Sequence, residues 1–252
     1  MRIDLNSDLG ESYGPWVMGN DALILDCVTS ANIACGGHAG DAETMYRTLR
    51  LAADRGVNVG AHPGYADREG FGRRVIPMQP AEIGRMVAAQ VGSLAAIARL
   101  AGTRVSYVKP HGALGNLAAA DMAVANAIVS VVKAMDPTLA ILAISGTSLE
   151  HAARGQELRV FSEIFADRAY LPNGHLVPRS QEGAILHDAK EAADRLIGFL
   201  KTGKMPVLGS DPIALNAESI CVHGDSAESV EMARHVRMRL EAEGVALVSF
   251  LH

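Results

Sequence analysis

The sequence predicts an irregular (β/α) barrel of TIM-like type with about seven parallel strands. Three observations predict it. Short β-branched or apolar runs alternate with longer Ala-rich segments of helical period. Most of those runs end at a polar or glycine-rich loop, as strands that feed crossover helices do. Seven or eight such runs within 252 residues suit a closed ring better than a doubly wound open sheet, which alternation alone would also allow. No fixed-period repeat, low-complexity tract or polar linker interrupts the pattern, so residues 1–252 read as a single (β/α) barrel domain.

The elements follow in order. Strands are predicted over Arg2–Asn6 and Thr29–Ala34. Asp41 then caps a helix that presents Met45, Leu49, Ala52 and Ala53 on one face and stops at Gly56. After a third strand, Val57–Ala61, Pro80 takes a first helical position. The stripe Ile83, Met86, Val87, Val91, Leu94 and Ala95 runs from there toward Gly102. A fourth strand covers Val105–Lys109, and a helix near Ala119–Met135 ends before Asp136-Pro137. Strands over Leu139–Ala143 and Arg159–Glu163 flank Gly146-Thr147-Ser148, which reads as a helix start. A helix over about Asp188–Lys201, a strand over Ser219–His223, a helix over about Ala227–Glu243 and a strand over Val245–Phe250 complete the chain. Asp225 is expected to cap that last helix, with Glu228 as its box partner.

Composition excludes several classes. With 49% hydrophobic and 20% charged residues, the chain is not disordered. A net charge of −5 without runs of like charge offers no general footing for nucleic acid or anionic membrane. No apolar stretch approaches the roughly 18 residues of a membrane span, and the first residues show no secretory apolar region. Cys27, Cys35 and Cys221 are odd in number and far apart, which argues against a disulfide framework or zinc knuckle. The expectation is a reduced, cytoplasmic protein. Gly198–Lys204 matches the start of a phosphate loop, but Met205 replaces the required Ser or Thr and the stretch closes a helix, so it reads as a C-cap.

Polar residues gather just past the strand ends. The first strand leads to Asn6, Asp8 and Glu11, and the second to His38. The third leads to His62, Arg73 and Arg74, and the fourth to Lys109 and His111. The sixth carries Glu163, Asp167 and Arg168, and the seventh ends at His223. In a parallel barrel all those ends open on one face, where active sites are built. Taken singly, each histidine could be a packed or turn residue, and Cys35 a small buried filler. Five charged loops on one predicted face, however, point to function. Carboxylates facing imidazoles suit general acid–base work on water and a leaving group, and the Lys and Arg groups suit an anionic substrate or developing charge. Asp8 with two or three histidines would also make a reasonable divalent-metal site, so the residues choose neither metal-dependent nor metal-free chemistry.

Six stretches resemble the LamB/YcsF family, in the same order along the chain. They are Asp4–Glu11, Ala31–Asp41, Gly60–Arg74, Val108–Asn116, Glu163–Tyr170 with Leu176-Val177-Pro178-Arg179, and Ile220–Asp225. One departure is visible: Gly115 stands where the family has Tyr, which enlarges the pocket or removes a hydrogen-bond donor. The resemblance implies a seven-stranded barrel similar to that of polysaccharide deacetylases. It implies the A subunit of an ATP-dependent 5-oxoprolinase, a hydrolase that opens the lactam of 5-oxo-L-proline to L-glutamate with B and C subunits as partners. ATP would be bound by this chain or shared with those partners. On that reading Asp8, His62, Lys109 and His111 are the catalytic candidates: Asp8 or His62 as base, His111 as acid, Lys109 as phosphate or oxyanion partner. Asn6, Glu11, His38, Arg73, Glu163, Arg168 and His223 are the substrate-binding candidates, with Arg73 or Arg168 on the substrate carboxylate. Two other readings share these residues: a metal-dependent amide hydrolase or deacetylase, and a non-catalytic binding subunit of a larger hydrolase.

Overall fold

The side-chain alternation of β1 (Arg2–Leu9) divides the molecule into its layers. Ile3, Leu5 and Leu9 join the main apolar core between strands and helices, whereas Asp4, Asn6 and Asp8 bond to groups inside the ring. The same split recurs along β2 (Ser30–Ala34), β3 (Asn58–His62), β4 (Val105–Val108), β5 (Ala140–Ile144), β6 (Val160–Phe165) and a further strand at Ser219–Cys221. The computed structural model describes residues 1–224 and 226–251.

Helices fill the intervals: α1 (Asp21–Leu25), α2 (Ala42–Asp54), α3 (Pro80–Leu100), α4 (Gly112–Ala120), α5 (Met122–Met135), α6 (Ser148–Gly155), α7 (Ala189–Thr202) and α8 (Ala227–Ala242). Lys204–Val207 (β7) and Ser210–Ala214 (β8) form a separate antiparallel hairpin, which makes Ser219–Cys221 β9 and Ala246–Leu247 β10. Strands pair in the order β1-β2-β3-β4-β5-β6-β9, and β9 pairs back onto β1 through Asp4↔Ser219 and Asn6↔Cys221. The result is a closed, all-parallel seven-stranded barrel, so all strand C-termini open on one mouth.

The opposite end of the ring is plugged. Tyr107, Ala140, Leu142 and Phe250 form an apolar cluster of their own, with the Phe250 ring 5.1 Å from Tyr107 and 4.6 Å from Phe161. Gly60 makes room for this filling, because a Cβ there would lie 2.1 Å from the Tyr107 ring. The plug also explains why the strand predicted over Val245–Phe250 shrinks to two residues: the segment leaves the sheet edge so that Phe250 can enter the ring.

Several expectations shift by identifiable causes. The helix predicted near Ala119–Met135 is α5, starting at Met122, and an unpredicted helix, α4, precedes it at a bend of 112°. Asp121 ends α4 and caps α5, accepting from the Ala123 and Val124 amides at 2.7 and 3.2 Å. Ser226 caps α8 through the Ser229 amide at 3.1 Å, and Asp225 lies outside the described residues. Asp41 caps α2 and Pro80 opens α3 as expected, and Gly203 closes α7 in the left-handed region at φ 68°. At 21 residues with a mean hydropathy of 1.2, α3 does have the length and apolarity of a membrane span. Here its Ile83, Val87, Val91 and Leu94 stripe is buried in the main core of the barrel.

Asp4 lies wholly buried in the ring, accepting from the hydroxyls of Thr29 and Ser30 at 2.6 Å each and from that of Ser219. Burial raises its pKa to about 6, against the opposing pull of those hydroxyls. The folded state therefore holds more protons than the unfolded chain between pH about 4 and 6, and this residue's contribution to stability falls as pH rises through that window. The difference in unfolding free energy between Asp4→Asn and the parent should climb by up to roughly 3 kcal/mol across it. Urea midpoints measured at each pH check this; a flat or falling difference would contradict it.

Candidate active site

The site begins inside the ring. Lys109, one residue past β4, sends its ammonium across the barrel to Asn6 Oδ1 and Asp8 Oδ1, each at 3.1 Å, and to Glu163 Oε2 at 3.0 Å. The Cys221 sulfur lies 3.2 Å from it. Asn32 donates to both Asn6 Oδ1 and Asp8 Oδ1, at 2.7 and 2.8 Å, and accepts from the Tyr107 hydroxyl at 2.7 Å. Burial works against every charge here. Asp8, Cys221 and Glu163 outweigh it for Lys109, whose pKa is held well above its ordinary value. His62 and Lys109 likewise outweigh it for Asp8, whose carboxyl is held well below. For Glu163 burial wins over Lys109 and the carboxyl is raised. Asp8 is thus the ionised carboxylate at the floor of the mouth.

Above that floor lie three histidines and Glu11. The His62 Nδ1–H donates to the Lys109 carbonyl at 2.7 Å, since a carbonyl can only accept. By the same logic the His111 Nε2–H donates to the Phe71 carbonyl at 2.8 Å. The remaining nitrogens, His62 Nε2 and His111 Nδ1, face one another at 3.0 Å, with Asp8 Oδ2 3.3 Å from the former. His38 stacks on His111 with centroids 3.5 Å apart and meets Glu11 Oε1 through Nε2 at 3.1 Å. Burial, and next the neighbouring imidazoles, hold His38 and His111 well below the ordinary histidine range. The loop that supplies the Phe71 carbonyl is tied by Arg74 to Asp67. Gly72 is required in it: φ is 61°, and a Cβ would meet His38 Cβ at 2.6 Å.

Across the mouth the character changes. His223 Nδ1 donates to Asp167 Oδ2 at 2.7 Å, and Nε2 faces the Arg179 guanidinium at 3.2 Å. Burial lowers the His223 pKa and Arg179 opposes protonation, but Asp167 outweighs both and the net shift is upward. Arg168 is buried with its guanidinium on the Val177 carbonyl at 2.6 Å; burial and Arg179 bring its pKa down to about 10. Arg195 of α7 pins the start of this loop by donating to the carbonyls of Phe165, Ala166 and Arg168.

Between the two walls lies a cavity of about 500 Å³, with Leu142, Ile144, Phe165 and Val177 along one side. Asp8, Glu11, His62, Arg73, Lys109, His111, Glu163, Arg168 and His223 all line it. Asn6 and His38 do not; they sit beneath and behind, Asn6 bonded to Glu163 and Ser219 at 3.2 and 2.7 Å. Gly115 is at the lining as well, and a Cβ there would come 2.6 Å from the Pro110 carbonyl oxygen. The sequence-predicted site leaves out Asn32, Tyr107, Cys221, Asp167 and Arg179, although Asp167 stands among the polar residues past the sixth strand and Arg179 in a family-like stretch. For Tyr107 and Cys221 the signal was present in their place two residues before Lys109 and His223, on the same face of the chain. Cys35, by contrast, is the small buried filler expected, its thiol pushed up to about 12 by burial.

Comparisons with known proteins give a consistent picture. The model of the LamB/YcsF family matches residues 3–252. A protein named as the A subunit of 5-oxoprolinase, from Gluconobacter oxydans (strain 621H), is 54% identical over 245 residues, covering 97% of this chain and 96% of that one. The crystal structure of a lactam utilization protein from Thermus thermophilus overlays with a TM-score of 0.93 at 43% identity, covering 99% of this chain and 100% of that one. A putative cellobiose-phosphate cleavage protein from Enterococcus faecalis V583 shares the fold, with a TM-score of 0.56 at 13% identity over 99% of this chain and 97% of its own.

The Asp167–His223 pair gives a test of the electrostatics of the far wall. Asp167→Asn removes the charge that outweighs burial, so the His223 imidazole should titrate at lower pH than in the parent. Histidine ring-proton NMR across pH 5 to 9 reads the midpoint directly (roughly the span over which a perturbed histidine titrates). An unchanged midpoint would show that Asp167 does not set it.

Proposed function

The chain belongs to the LamB/YcsF family, and from that membership and the site together we propose that it is the A subunit of an ATP-dependent 5-oxoprolinase. It would hydrolyse the C–N bond of the cyclic amide 5-oxo-L-proline to give L-glutamate, in the cytoplasm, with B and C subunits. The observation that carries this reading is the make-up of the cavity: the acids and imidazoles Asp8, Glu11, His62 and His111 share it with the cationic Arg73, Arg168 and Arg179 and with His223. A small anionic lactam has the matching halves, a carboxylate for the cations and an amide for the acid–base side.

The need for ATP is chemical. A five-membered lactam is a stabilised amide and a poor electrophile for water. Transfer of the γ-phosphoryl group to the amide oxygen, with ADP leaving, makes the carbon electrophilic. Water adds while a base takes its proton, and the C–N bond breaks as the nitrogen accepts one. A second water then releases phosphate from the resulting acyl phosphate, leaving glutamate. Asp8 is the base in this scheme, kept ionised by His62 and Lys109. His111 is the proposed acid; with its Nε2–H held by the Phe71 carbonyl, it would deliver a proton that reaches Nδ1 through the pair with His62. Lys109 compensates charge at the floor, and Arg73 or Arg168 holds the carboxylate. With no phosphate-loop sequence in the chain, we place ATP in a site shared with the partner subunits.

Reconstitution tests the proposal. The chain mixed with the two partner subunits should release glutamate from 5-oxoproline only when ATP is supplied. His111→Ala should lower turnover at least about a hundredfold. Lys109→Ala should lower both turnover and stability, because it strands Asp8 and Glu163 as buried, unpaired carboxylates. Near-parental turnover by His111→Ala in a folded complex would remove that residue from the chemistry. ATP-independent release, or none, would overturn the proposal.

A further inference from the structure

We propose that Glu11, His38, His62 and His111 form a binding site for one divalent transition-metal cation of the zinc type, open toward the cavity. The four residues bring one donor atom each to within 4.8 Å of all the others. Their spacing suits a single ion. A tetrahedral site with bonds of about 2.0–2.1 Å has ligand–ligand edges of about 3.4 Å. Here the edges are 3.0 Å for His62 Nε2 to His111 Nδ1, 3.1 Å for His38 Nε2 to Glu11 Oε1, and 3.7 Å for His111 Nδ1 to Glu11 Oε1.

Hydrogen bonding gives a second and independent reason. His62 and His111 each spend one ring N–H on a backbone carbonyl, that of Lys109 and that of Phe71. This is the arrangement that fixes tautomer and aim in metal-ligating histidines. That leaves His62 Nε2 and His111 Nδ1 facing one another across 3.0 Å, a contact that needs a proton or a cation between the two nitrogens. The third ring is incompletely satisfied too: His38 is 1% exposed and its Nδ1 has no hydrogen-bond partner. Because His38 and His111 are stacked at 3.5 Å, loading requires the rings to tilt apart; the His38 Nδ1 is unpartnered and its Nε2 meets Glu11, itself a proposed ligand.

Three imidazoles and one carboxylate select a borderline cation over magnesium or calcium, which prefer all-oxygen sets. Glu11, His62 and His111 line the cavity while His38 closes the rear. A bound ion would therefore be reached from the substrate side, as in metal centres that keep an exchangeable position.

Binding to the full chain, stripped of metal by chelator, tests this. Calorimetric titration with Zn²⁺ should show one equivalent bound, and Co²⁺ should develop the visible d–d absorption of a low-coordinate nitrogen and oxygen site. His62→Ala and His111→Ala should each weaken Zn²⁺ binding at least about tenfold. Glu11→Gln, a change at a half-buried residue, carries the same expectation if either histidine variant fails to fold by circular dichroism. His151→Ala, on an exposed residue of α6, should leave binding unchanged. Binding of no equivalent of either cation would overturn the proposal and leave a shared proton between His62 and His111. One equivalent bound equally by all folded variants would overturn it as well. The readout is binding to this chain alone, so failure of the metal site leaves the lactam reading standing, and an inactive reconstituted complex leaves the metal site standing.

Discussion

The buried ammonium of Lys109 is the constraint on which this molecule is built. A lone cation inside a protein is tolerated only with counter-charges and hydrogen bonds in good geometry. The counter-charges here come from strands at the two ends of the β1-to-β6 order, Asp8 from β1 and Glu163 from β6. They reach the same ammonium only after β9 has slotted between their strands and paired with both. Closing the barrel and assembling the floor of the site are therefore one event. Folding that left the ring open would strand a lysine and two carboxylates in an apolar setting, so the polar interior favours the closed topology over open-sheet alternatives.

That constraint also explains how much of the molecule was legible in advance. The seven ring strands were readable because their outer faces carry mostly apolar residues at alternate positions, such as Leu5, Ile33, Val59, Ile141 and Ile220. The candidate residues were readable because a charged side chain just past a strand end has few reasons to be there. Harder to read was the other half of the alternation. Asp4, Asn32, Tyr107 and Cys221 lie within strands, where one polar residue means little until its neighbours across the ring are known. Tyr107 is at once part of the apolar plug and a donor to Asn32, a pairing between residues 75 apart that no local pattern announces. The hairpin of β7 and β8 escaped because Pro206 and Pro212 argue against strands in general and its strands lie outside the ring, where a missing ladder bond does less harm. The break at Asp121 escaped because one residue both ends α4 and starts α5.

The distribution of charge around the mouth follows from how the strand ends and loops are tied. His62 ends β3 with its ring on the Lys109 carbonyl and beside Asp8, and His111, past β4, is held by the Phe71 carbonyl from the long excursion after β3. The long excursion after β6 folds on itself through Ala169, Val177 and Ala184 and is anchored by Arg195. That fold brings Arg168 and Arg179 to the cavity, which Val177 also lines. Asp167 is paired with His223, and Asp8 and Glu163 with Lys109, so the charges are compensated locally around a gap with apolar residues in its lining. In such a gap each acts at a lower effective dielectric than at an open surface. A molecule that carries both an anion and a polarisable amide then has one favourable orientation, with its reactive carbon turned toward Asp8 and the histidines.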